Sequence, residues 1–226
     1  MTTPQPALIR RQLKTPRAAA IAGILFALLY GGGLALIKIS IPDRQSPDTA
    51  WMASNAYTVG LALNLVPYSG IAFLWFIGVI RDHLGDLEDR FFATVFLGSG
   101  LLFLVLTFVG AALVGGLLSS FTIESRAPIE TSVYTYSRAV MYQIINIYAV
   151  RMAGVFMISL GTIWLRTNLM KRGWVILTYA LALVLLLSIS LTVWVTLIFP
   201  GWVLVISTTF LISNLRDRPA AAISET

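Results

Sequence analysis

The placement of charge constrains this chain more than any other feature. Six long apolar stretches fill most of its 226 residues, and only one charged residue, Arg151, sits deep inside any of them. A run of about 20 apolar residues crosses a bilayer as a helix. The pattern predicts an all-α, six-helix transmembrane bundle over residues 17–215, between a weakly ordered N-terminal tail, 1–16, and a flexible C-terminal tail, 216–226. Charged residues make up 12% of the chain, and a soluble domain carries roughly twice that fraction. No second, soluble domain is expected.

The spans are expected at 18–37, 56–80, 91–118, 139–165, 173–198 and 201–215. The last two form one apolar block, divided at the turn-favouring pair Pro200-Gly201. Residues 18–37 follow four basic residues, as a secretory signal would, but 20 apolar residues are long for a signal core. This stretch reads as an uncleaved first span.

Lys and Arg then orient the bundle. With the N-terminus inside, eleven fall on the cytoplasmic side and four outside, with Arg151 left between. Basic residues favour the cytoplasmic side, so both termini are expected there. The same rule explains the net charge of +6 without a nucleic-acid partner. Trp51, Trp194 and Trp202 fall at the expected outer boundary, and Trp75, Trp164 and Trp174 near the inner one. Indole rings favour both boundaries.

A charge at the depth of Arg151 costs at least about 2.5 kcal/mol on insertion scales. On an α-helix, Gln143, Gly154, Gly161 and Thr162 share its side within about 80°. No carboxylate lies inside any span, so its partner is expected among polar side chains, carbonyls, a loop acid or a bound anion. Span two offers Asn64 and Tyr68, four residues apart around a break at Pro67. Proline removes a backbone donor and clashes with the carbonyl four residues back, here Leu63. Arg151, Gln143, Asn64 and Tyr68 are therefore the candidate ligand-binding residues. The bland alternative is that Arg151 snorkels to the headgroups and that Pro67 is an ordinary kink.

Other motifs carry less. Asp82, His83, Asp86, Glu88 and Asp89 fit no calcium-loop spacing, and their loop reads as helix capping. Gly98-Ser99-Gly100 has no base within any span and reads as packing. Ala111/Gly115, Ala112/Gly116 and Gly31 to Gly33 are expected to let helices approach closely. With no cysteine, one loop histidine, and no intramembrane lysine or acid, the chain offers no thiolate, bis-histidine haem, Schiff-base or carboxylate-relay site. No catalytic residue, metal or cofactor is expected.

Several stretches resemble an uncharacterised family of bacterial multi-pass membrane proteins. They are Phe73 to Asp82, Leu87 to Gly100, Arg151 to Leu160, Tyr179 to Leu187, and Phe199-Pro-Gly-Trp202. The resemblance implies a bacterial plasma membrane and no particular activity. The expected function is binding or transport of an anionic lipid or small anion around Arg151. The rival is a non-catalytic structural or accessory subunit. The expected partners are the lipid bilayer, the anion, and other copies or subunits of a membrane complex.

Overall fold

The computed structural model describes residues 15–41, 50–84, 90–123, 131–167, 170–187 and 193–216. Among these residues the protein is all-α. The elements are α1 (Thr15–Ser40), α2 (Ala50–Leu84), α3 (Arg90–Ile123) and α4 (Thr131–Tyr142). α4 continues through a π-helical segment, Gln143–Ala149, into α5 (Val150–Thr167). α6 (Arg172–Leu187), a 3₁₀ turn at Val193–Leu197 and α7 (Ile198–Arg216) follow. Among the described residues, five spans are long and apolar enough to cross a membrane, with α4 to α5 counting as one and α6 being shorter. The protein is a multi-pass membrane helix bundle. In lipid, helices keep every backbone hydrogen bond within the segment, which is why apolar runs of this length are helical.

Five helices close a ring. α1 packs on α2 and α7, α2 on α3, α3 on α5, and α5 meets α7. Each contributes one phenylalanine to the axis: Phe26, Phe73, Phe103, Phe156 and Phe199, all 3% exposed or less. Phe73 lies 4.6 Å from Phe26 and 5.4 Å from both Phe103 and Phe156, centroid to centroid. Phe199 closes on Phe103 at 4.8 Å. Each such pair adds about 0.5–1.5 kcal/mol beyond its buried area. Tyr30 stacks on Phe26 and bonds to Thr107, so its hydroxyl is satisfied.

α6 stands outside this ring, against α5. Gly154 admits Leu186 and the Ala182 carbonyl, and Gly161 admits Thr178 and Tyr179. Trp202 Nε1 donates to Thr178 Oγ1 at 3.0 Å, tying α7 to α6.

The helices differ in length. α2 and α3, with 35 and 34 residues, run about 50 Å at 1.5 Å per residue, against a hydrocarbon core of about 30 Å. Exposed Arg81 and Asp82 near the end of α2, Arg166 at the end of α5, over the Phe92 ring at the start of α3, and Lys171 and Arg172 at the start of α6 mark one face, called proximal here. The excess length emerges at the opposite, distal face. There a second cluster joins Trp51, Val59, Val114, Leu117, Phe121 and Tyr134 into a small cap. Trp51 Nε1 donates to the Tyr134 hydroxyl at 2.9 Å, and Arg138 Nη1 to the same oxygen at 3.0 Å.

Three expectations change. The last two spans do not divide at Pro200-Gly201. α6 ends at Leu187, residues 188–192 lie outside the described residues, and Pro200 is the third residue of α7. A first-turn proline sacrifices no hydrogen bond, because its N–H would have no intrahelical acceptor. α6, with 16 residues, is therefore only about 24 Å long. Trp164 and Trp202, expected at opposite boundaries, lie at one level, with ring centroids 6.0 Å apart. Trp51, Trp164 and Trp202 are at most 4% exposed and pack within the bundle, while Trp75 and Trp194 face outward. Of the small-residue pairs, Gly115 meets Leu63, but Ala112 and Gly116 face outward. Gly33 and Gly31 approach α2 and α7, whereas Gly32 meets nothing.

Candidate functional site

Arg151 is the second residue after the π-helical segment, where the helix returns to α geometry. A π turn takes one extra residue and is frequent at functional sites. This one is accommodated by α3: a Cβ on Gly110 would stand 2.5 Å from Ile145 Cγ1, so only glycine admits the widened turn. At its end the Ile147 carbonyl accepts the Val150 N–H and, at 3.2 Å, Arg151 Nη1. The guanidinium thus folds back along its own helix toward the distal end.

That bond uses one of five N–H donors, and among the described residues it is the only one Arg151 makes. The residue is half-buried. Arg166, at the proximal face, lies 15 residues along, or roughly 22 Å. A core of about 30 Å would then put Arg151 roughly 8 Å inside the distal boundary.

Its neighbour is α6, as the small residues on its side require. Gly154 opposes Ala182 and Leu186, and Gly161 opposes Thr178 and Tyr179. Thr162 Oγ1 and the Tyr179 hydroxyl are hydrogen-bonded at 2.9 Å. Continued by one turn, this antiparallel register brings Arg151 level with the end of α6 at Leu187. The last carbonyls of a helix lack intrahelical partners and carry the negative end of its dipole. The carbonyl that Arg151 does meet, Ile147 O on its own helix, falls within the carbonyl partners expected from the sequence, which could not say which carbonyl it would be.

The other candidates do not converge on Arg151. Tyr68 is 63% exposed and faces away from the bundle. Asn64 is exposed too, and its Nδ2 donates to the Gly60 carbonyl of its own helix at 2.9 Å. Gln143 is exposed at the start of the π segment. Among the described residues no hydrogen bond joins any two of these four. The expected contact of Arg151 with Asn64 or Tyr68 is replaced by the Ile147 carbonyl. α2 stays helical through Pro67, and Ser69 Oγ donates to the Val66 carbonyl at 2.7 Å rather than to Leu63.

Ser99 Oγ donates to the Val95 and Phe96 carbonyls, and Gly100 faces Ile77 and Phe156, so that motif packs helices together. Residues 85–89, the centre of the acidic loop, lie outside the described residues. Among the described residues no three His, Cys, Asp or Glu side chains gather as metal ligands would. Compared with family models, curated proteins and solved structures, the chain matches none.

Proposed function

We propose that this membrane protein binds an anionic group, a lipid phosphate or a small organic anion, at Arg151. One observation carries the reading: among the described residues, half-buried Arg151 uses a single donor, on its own helix, and by helix rise it stands within the hydrocarbon depth. Unmet donors at that depth are costly, and a planar fork reads phosphate or carboxylate bidentately. The anion would reach Arg151 from the lipid side, where the side chain turns toward the distal face. Exposed Gln143 lies on that route; Asn64 and Tyr68 do not. We place the protein in a bacterial plasma membrane with both termini cytoplasmic, following its basic residues.

A second reading has its own support. Arg151 lies level with the negative end of α6, and the axis is packed with aromatic rings. In an accessory subunit, the bundle itself would neutralise the arginine.

The test is lipid retention by purified full-length protein, read by native mass spectrometry, with phosphatidylglycerol, phosphatidylcholine and free citrate as separate arms. Binding of phosphatidylglycerol alone identifies a lipid phosphate; binding of citrate identifies a small anion. Arg151→Leu removes a charge without stranding a partner, so the protein should fold and lose the anion. Arg151→Lys should recover only part of it. Undiminished anion retention by Arg151→Leu would leave the accessory reading standing.

A further inference from the structure

The face of α2 turned away from the bundle has a regular composition. Tyr57, Leu61, Asn64, Tyr68, Ile71 and Trp75 recur at alternating steps of four and three residues. That is the spacing of a coiled-coil seam. The rings are exposed by 84%, 63% and 69%, and Leu61 and Ile71 by about half. Any outward helix face has this period, but the chemistry here differs from that of the outward faces of α3 and α6. On α3 the outward residues at similar depth include Leu102, Val105 and Val109, and on α6 Ile176, Leu183 and Val184. These suit lipid tails. α2 instead presents an amide and a phenol.

Among the described residues neither group is fully satisfied. Asn64 Nδ2 bonds to Gly60, and among the described residues the amide oxygen has no donor. The Tyr68 hydroxyl has no hydrogen bond among the described residues. Pro67, on the same face, deprives the Leu63 carbonyl of its helical donor. Lipid tails offer nothing to any of the three.

A second copy of the chain would. Two copies inserted alike and related by an axis along the membrane normal must present α2 to α2 in parallel, each residue opposite itself. An amide carries both donor and acceptor, so it complements its own image. A single asparagine in such a seam fixes register, and asparagine bonds between helices inside membranes. At ~150–250 Å² per aromatic side chain, the exposed face offers on the order of 600 Å² per copy, close to the ~800 Å² per partner of stable complexes. We propose that α2 forms a parallel homodimer seam of this chain, with Asn64 paired to Asn64 across the two-fold axis. The inference rests on membrane insertion and not on the reading of Arg151.

The chain has no cysteine, so single cysteines report without background. In membranes holding the full-length protein, oxidation should link Leu61→Cys and Ile71→Cys into disulfide dimers, because each faces its own copy within bonding distance. Val105→Cys on α3 and Leu183→Cys on α6 should stay monomeric. Diluting labelled protein with lipid and following energy transfer, Asn64→Leu should weaken association about 3- to 30-fold, and Asn64→Gln should restore most of it. Asn64 is outward-facing, so neither change disturbs the monomer. Equal cross-linking from α3 or α6, a protein monomeric at every lipid ratio, or Asn64→Leu within twofold of the parent would overturn the proposal.

Discussion

Gly23 of α1 faces Ser207 of α7 and Phe76 of α2, and adding one methyl group there gives a calculable outcome. A Cβ on Gly23 would overlap Ser207 Oγ and stand 2.9 Å from two Phe76 ring carbons. Ser207 is fully buried, and its oxygen has no hydrogen-bond partner among the described residues. In Gly23→Ala the hydroxyl can swing away, but Phe76 is packed against Phe73 at 6.2 Å and cannot retreat freely. Overpacking of this kind costs about 1–3 kcal/mol, and alanine returns up to about 1 kcal/mol of helix propensity. With both near the middle of their ranges, the net expectation is a loss of about 1–2 kcal/mol. Ser207→Ala removes an unsatisfied buried hydroxyl, so it should be neutral or mildly stabilising. The double variant should recover about 1 kcal/mol relative to the sum of the singles, since the oxygen and the methyl compete for one space. Steric trapping of the protein in bicelles measures all four corners of this cycle. If Gly23→Ala matches the parent in stability, or the two changes simply add, the helices do not meet as described.

Two further predictions follow from burial and depth. Phe156→Ala, which opens the aromatic ring at a fully buried position, should cost about 3–5 kcal/mol, whereas Leu183→Ala on the outward face of α6 should stay within about 1 kcal/mol in the same assay; similar losses at both sites would contradict the ring. Tyr136→Cys, on α4 in the distal cap and 73% exposed in the parent residue, should react in intact cells with a maleimide that cannot cross the membrane. Reaction only after permeabilisation would invert the topology, and no reaction before detergent would sink the cap beneath the lipid.

The spans were legible because apolar length is a strong signal, and Arg151 stood out because nothing else charged shares its depth. What the sequence hid has specific causes. Residues 188–196 carry no charge and intersperse apolar residues with serine and threonine, so they read as a continuing span, while Pro200 reads as a break although it lies in the first turn of α7. Periodicity gives the angle between two residues of one helix but not the direction in which the helix faces. Asn64 and Tyr68 were rightly placed on one side of α2, and that side faces outward. The count of 100° per residue that related Gln143 to Arg151 does not apply across the π segment between them, so their relative direction could not be read from the sequence. The five phenylalanines are scattered over 174 positions and look like ordinary apolar residues until the ring is assembled.

The phenylalanine ring has a consequence for permeation. Five phenyl groups, from five different helices and almost without solvent contact, occupy the axis at one level. A water-filled conduit through the bundle would have to part all of them, giving up several pair energies of about 0.5–1.5 kcal/mol each along with their packing. The axis is therefore a seal, and conductance through it should be negligible. Arg151 precedes Phe156 by five residues, which at about 3.6 residues per turn sets it roughly 140° around α5 from the ring. An ion drawn to that arginine would travel along the protein's outer flank, beside α6, in the company of lipid headgroups.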